Sequence, residues 1–399
     1  VQGFLSSDFI HRFLGPWAEN ASMVGPEKVF WGVSEFQGQP GYGENLRPHD
    51  IGWIAKLEER SRIDEYPSQC RRAIIVRHAN VRVFPTHRPH YSDIFRAGQG
   101  YPFDNFQNSA LWAGTPVLVT HATSDGAWIL VEASNVFGWV ESQDAALVDE
   151  NFIRSYVTGA WATPVSDGFP LVDGDGTHRF FSMIGSLYPQ AGSGSDDSEV
   201  LIPVRDADGQ AVIRRTRVSA EAVRPFPLPA LRGLFVEVAR ALAGQPYGWG
   251  GMYRLRDCSA MVQDYFLPFG VWMPRNSSQQ ARAGRTVDLE SLEGPAKEFQ
   301  ILAEGEPWLT TLWKPGHIML YIGRFEGRPV VLHNAWGLRT KSFLCGEGRR
   351  LIGAAVVTTL NPEDGVPCSD PDRGILRTLK RMTFPCEERV EAGHGEATP

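Results

Sequence analysis

Apolar and polar positions change their period several times along this chain. From Cys70 the runs RRAIIVRHANVRVFP, TPVLVTHATSDGAWILVEAS and NVFGWVES alternate apolar with polar side chains, the two-residue period of half-buried strands, and SDGAW marks a tight hairpin. From about Phe152 the texture repeats in YVTGAWATPVSD, GFPLVDGDGTHRFFSMI and EVLIPVRDADGQAVIRRTRVS, with DADG as a second hairpin signal. Many short strands in so few residues predict two small all-β barrels, over 70–149 and 150–228. The period is helical on both sides of this pair. Before it, SDFIHRFLG and DIGWIAKLEERS each follow an Asp placed to cap. Their apolar surface is too small for an independent core, so 1–69 is expected to be an arm that packs on other domains.

After the proline-rich joint PFPLPALRG, the stretch LRGLFVEVARALAGQ predicts an amphipathic helix closed by Gly244. A second helix follows, headed by Cys258, with Asp257 near the N-cap position and Met261, Val262, Tyr265 and Phe266 as its apolar stripe. PRNSSQQARAG predicts a short third helix. The chain then turns to strands in PWLTTLWKPGHIMLYIGRFEGRPVVLHNAWG, around a hairpin at Phe325 to Arg328, and in LIGAAVVTTL. Helices followed by antiparallel strands predict an α+β domain over 229–362. Residues 363–399 are expected to be a C-terminal extension, partly disordered.

Composition narrows the function. A net charge of −7 over 399 residues, with no basic cluster, argues against a nucleic-acid binder. No apolar run approaches the roughly 20 residues of a membrane span. A first residue Val1 suggests a processed or trimmed start, by signal-peptide removal or at a cloning boundary. The five cysteines, Cys70, Cys258, Cys345, Cys368 and Cys386, show no CxxC or zinc-type spacing, so no disulfide framework and no metal site are expected. Pairing of Cys368 with Cys386 stays open, and an odd count leaves one thiol unpaired in a monomer. LVDGDGTHRFF carries alternating Asp173 and Asp175, yet it lacks the twelfth-position Glu and flanking helices of a calcium loop, so it is expected to be a turn.

Cys258 is either a buried structural thiol or a nucleophile. At a helix head the dipole favours a thiolate, while the Asp257 carboxylate opposes it, so a histidine is needed as activator. His317 opens the strand HIMLYIG after a Pro-Gly turn, and His333 closes VVLH. If the two strands pair through the turn at 325–328, both rings lie at one end of the sheet, where a packed helix brings Cys258 to them. A Cys, a base and an orienting group together point to acyl transfer.

PYGWGG, DCSAMVQ, KPGHIMLYIG and VLHNAWG, in that order, resemble the motifs of the NlpC-type papain-like cysteine peptidases, bacterial cell-wall endopeptidases. The match spans about 229–360. The resemblance implies Cys258 as nucleophile, His317 as general base and acid, and His333 as the group orienting His317. It further implies Tyr247 near the oxyanion, Trp249 lining the pocket, and Asp257 and Ser259 around a substrate D-glutamate. The paired barrels, with ANVRVFP and FGWV in the first, resemble the bacterial SH3-like domains of the gamma-D-glutamyl-L-diamino acid endopeptidases. In that branch the first barrel closes the cleft and enforces a free N-terminal L-alanine on the stem peptide. Where the branch commonly has Asp before Ser, this chain has Asn276 before Ser277, a neutral partner for that ammonium. Implied with these are no cofactor, a monomer acting on murein tripeptide or tetrapeptide, and export to the cell envelope or periplasm or recycling inside the cell. A wall-binding protein without catalysis, or an acyltransferase or amidase using the same residues, is the competing expectation.

Overall fold

The computed structural model describes residues 1–194, 197–343 and 346–387. Cys345 and the C-terminal residues expected to be disordered lie outside them.

Four regions follow one another. Helix α1 (Gln2–Ala18) and the shorter helices Pro26–Val29, Trp31–Phe36 and Trp53–Ser61 form the arm. The two expected caps are not used. α1 starts at Gln2, so Asp8 lies inside it and pairs with Arg12 one turn on at 2.7 Å, and Trp53–Ser61 has Gly52 at its N-cap with no side-chain bond. Apolar burial decides these starts instead. Phe9 and Phe13 pack with Trp161, Leu187 and Leu267, Trp17 donates to Ala73 O at 2.7 Å, and Phe36, Trp53, Ile54 and Leu57 cover Val83, Phe84 and Phe106. The arm therefore shares its apolar face with three other regions, which is how so few residues find enough burial.

Seven strands between Arg71 and Leu147 form one antiparallel sheet, the first barrel. Five strands between Trp161 and Phe226, with the hairpin Phe169–Val172 and His178–Ser182, form the second. The expected turns at SDGAW and DADG join Pro116–Ala122 to Trp128–Glu132 and Asp197–Arg205 to Ala211–Ser219. Asp173 is used up locally, accepting from the amides of Asp175 and Thr177 at 3.1 and 3.0 Å and pairing with Arg179 at 2.5 Å.

The last region is α+β, as its pattern predicts. Helices α2 (Arg232–Leu242) and α3 (Cys258–Phe266) pack on a six-stranded sheet through Val238, Leu242, Met261, Val262 and Phe266 against Ile318, Leu320 and Leu332. Gly244 follows α2 at φ +79°, a left-handed position that glycine adopts without strain. The strands are β1 (Arg285–Asp288), β2 (Thr310–Lys314), β3 (His317–Phe325), β4 (Arg328–Ser342), β5 (Gly346–Thr359) and β6 (Arg381–Phe384), in spatial order β1-β6-β2-β3-β4-β5. Thus β6, which lies in the stretch expected as an extension, is an interior strand of this sheet. α4 (Gly294–Glu304), also unforeseen, contributes Ile301 to the core on the sheet's other face.

The pairing left open between Cys368 and Cys386 is not formed. Cys368 is disulfide-bonded, whereas Cys70, Cys258 and Cys386 are free, so Cys368 does not pair with Cys386.

Candidate active site

Cys258 is the first residue of α3, and Asp257 is its N-cap, accepting from the Ala260 amide at 2.8 Å. The thiol also meets the backbone amide of Ile318, the residue after His317. Burial and the Asp257 carboxylate push it up to about 12, against the Ile318 amide, Arg275 and the Ser259 amide. The helix-head effect expected to favour a thiolate is thus outweighed by desolvation, and Cys258 rests as a neutral thiol.

A one-residue bulge brings the two histidines together. Counting back from the turn at Phe325 and Arg328, an unbroken ladder sets His333 opposite Leu320, an odd offset from His317 that puts the rings on opposite faces. The register shifts between Tyr321 and Gly323, so Leu320 pairs with Leu332 instead. His333 then falls opposite Met319, an even offset, and both rings share a face. His317 Nε2 lies 2.7 Å from His333 Nδ1, and His333 Nε2 lies 3.0 Å from Thr358 Oγ1 on β5.

The proton positions follow from the last link. The Thr358 hydroxyl donates to Thr359 O at 2.7 Å, so its oxygen accepts from His333 Nε2–H. His333 Nδ1 is then bare and accepts from His317 Nε2–H. That leaves Nδ1 of His317 without a proton, the form a base requires. Burial and the neighbouring His333 and Lys314 hold His317 well below the usual imidazole range, and burial lowers His333 to about 4, so both rings are neutral.

Beneath the thiol lies a buried polar network. Arg275 bonds to Asp257 at 2.7 Å, to Ser259 Oγ at 2.7 Å and to Ser109 Oγ of the first barrel at 2.7 Å. Asp257 also accepts from the Gly250 amide at 3.1 Å. Asp257 and Ser259 are therefore engaged with protein partners. The turn before α3 lies directly on the first barrel: Gln107 Nε2 donates to Gly250 O at 2.9 Å, and a Cβ on Gly250 (φ +56°) would meet Gln107 O at 2.6 Å. Trp249 donates to Asp104 O at 2.9 Å and meets Phe103 edge-on. Asp104 is itself held by the buried Arg82 at 2.6 Å.

Cys258, His317, His333, Tyr247, Trp249, Asp257, Ser259, Asn276 and Ser277 all line one cleft of about 880 Å³. Asn276 is exposed and makes no side-chain cap bond. Burial, Asp257 and Cys258 hold the Tyr247 hydroxyl protonated, as a donor. Three groups escaped the sequence reasoning: Thr358, Arg275 and the cleft-lining cations of the β4–β5 hairpin. Their partners lie on other elements, so no local pattern announces them. One more was missed: Arg256, almost fully buried, joins α3 through Asp264 at 2.6 Å to the second barrel through Asp167 at 3.0 Å and Ile184 O at 2.7 Å.

Comparison with known families matches residues 244–341 to the NlpC/P60 family. The chain carries an NlpC/P60 domain. Around the NlpC/P60 domain, residues 2–66 match the NLPC_P60 stabilising N-terminal domain, 89–141 an SH3 domain of SH3b1 type and 149–194 one of SH3b2 type. No curated protein shows significant sequence similarity to the chain. Among solved structures, an NlpC/P60 endopeptidase from Photobacterium damselae subsp. piscicida is similar over 97% of this chain and 93% of its own, at 24% identity and a TM-score of 0.84. An NlpC/P60 family protein from Bacillus cereus ATCC 10987 is similar over 78% of this chain and 98% of its own, at 13% identity and a TM-score of 0.51. The first of these likenesses extends over nearly the whole chain and so over its four-part arrangement, and the NlpC/P60 domain places the chain in a cysteine-peptidase class.

Proposed function

We propose that this protein hydrolyses peptidoglycan stem peptides at the amide between the gamma carboxyl of D-glutamate and the diamino acid (meso-diaminopimelate). The observation that carries this is the bonded chain His317, His333, Thr358 opening, with the Cys258 thiol, onto a cleft walled by the first barrel. Because thiol and imidazole both rest neutral, attack on the carbonyl is coupled to proton transfer from Sγ to His317 Nδ1. His333 accepts from His317 Nε2–H and holds the ring. The Tyr247 hydroxyl and the amides at the head of α3 are the donors for the oxyanion. His317 then gives its proton to the leaving amine and activates water against the thioester.

Ser277 and Asn276 line the same cleft with side chains free to meet the substrate, Trp249 lines it with its indole N–H held by Asp104 O, and Asp257 and Ser259 form its floor through Arg275. A free N-terminal L-alanine fits the side closed by the first barrel, with Asn276 giving its ammonium a neutral hydrogen bond. Action outside the cytoplasm is supported by the disulfide-bonded Cys368, since such bonds persist in oxidising compartments. Mass analysis of a stem tripeptide tests the assignment. The wild type releases the diamino acid and Cys258→Ala releases none; release by Cys258→Ala sinks the proposal.

A further inference from the structure

In a chain of net charge −7, the cleft carries three cations without counter-ions. Lys314 ends β2 and stands opposite His317 in the ladder. Arg349 lies on β5, and Arg373 follows β5 in a short 3-10 turn. Their neighbour Arg339 is neutralised by Glu347 at 2.8 Å and Asp370 at 3.5 Å. Among the described residues no carboxylate pairs with Lys314, Arg349 or Arg373. Burial and the nearby Arg373 disfavour charge on Lys314, and burial and Arg339 disfavour it on Arg349. Lys314 is half-buried and Arg349 and Arg373 are exposed at the cleft; like charges brought to one cleft without partners repel one another, and a bound anion relieves that repulsion.

Arg349 is held in place. Its guanidinium lies 5.8 Å from the Phe103 ring of the first barrel. It also crosses Gly98, where a Cβ would come within 2.5 Å of Nη2. The charge thus faces the cleft where the barrel meets the β4–β5 hairpin.

We propose that Lys314, Arg349 and Arg373 form a carboxylate-binding wall that selects substrates with free carboxylates beside the scissile amide. This rests on the peptidase assignment above. A gamma-linked D-glutamate keeps its alpha carboxylate, and the diamino acid adds others, so the wall is matched by a stem peptide and unmatched by its amidated form.

The test compares the L-Ala-gamma-D-Glu-diamino acid tripeptide with its carboxamide analogue, using wild type, Arg349→Gln, Arg349→Lys and Lys314→Met for turnover and Cys258→Ala for calorimetric binding. Amidation is expected to lower wild-type kcat/KM by about tenfold or more, chiefly through KM. Arg349→Gln narrows that gap and Arg349→Lys restores part of it. Binding to Cys258→Ala weakens with salt for the carboxylate form alone. Equal handling of the two peptides by wild type, or equal binding to Cys258→Ala, overturns the wall. Carboxylate-dependent binding without wild-type hydrolysis upholds the wall and refutes the peptidase assignment instead.

Discussion

Replacing Thr358 by Val removes one oxygen at the end of the relay and reaches Nδ1 of His317 two hydrogen bonds away. In the native arrangement His333 Nε2–H donates to Thr358 Oγ1 at 3.0 Å. With Val this buried N–H has no acceptor, a penalty of about 1–3 kcal/mol. His333 escapes it by moving its proton to Nδ1. That proton then points at His317 Nε2, so His317 must carry its own on Nδ1, where it blocks the base. If the penalty goes entirely into this tautomer shift, the ratio of competent to blocked tautomer falls about fivefold to 150-fold. kcat should drop by up to that factor while KM changes little, because Thr358 does not line the cleft. Nitrogen-15 imidazole shifts in histidine-labelled protein report the tautomers without reference to turnover. Thr358→Ser should restore both readouts. Wild-type tautomers and wild-type kcat in a folded Thr358→Val protein would refute the relay.

Two further outcomes follow from buried charge and buried imidazole. Arg256→Met leaves Asp167 and Asp264 buried without their cation, so denaturant unfolding should show a loss of about 3–5 kcal/mol; a loss below about 1 kcal/mol would mean the clamp is energetically idle. Burial holds His333 and His78 at about 4, so the unfolded chain takes up their protons first as pH falls from about 6.5. Each contributes stability that is complete above that pH and shrinks by up to about 3 kcal/mol on descending to pH 4. Unfolding midpoints over this window should fall, and His333→Asn should flatten the slope; an equally steep slope in that variant contradicts the sign.

What could be read from the chain had a local cause. The two-residue alternation exposed the barrels. The stripe Met261, Val262, Tyr265 and Phe266 exposed the helix that Cys258 heads, and the Pro-Gly turn before His317 marked a strand start. The cap expected of Asp8 failed because Phe9, Phe13 and Trp17 bury one continuous face and carry the helix past it. Strand β6 was hidden because RMTF is too short to show a period, and its place is set by pairing with β1 and β2. Thr358, Arg275 and Arg256 act through residues far away in sequence, and only the assembled sheet and barrels bring those residues within reach.

The bulge between Tyr321 and Gly323 makes chain length, as well as side-chain identity, a determinant of this site. Deleting Ile322 would remove the extra residue and the bulge together, so Leu320 would still face Leu332 and both histidines would keep one side of the sheet; straightening the ladder with Ile322 retained is what would send His317 and His333 to opposite sides. Homologous hairpins should therefore be compared by residue count together with the presence of the bulge before their histidines are equated. A sequence retaining Cys, His and His with the wrong parity would fold as a peptidase and not work as one.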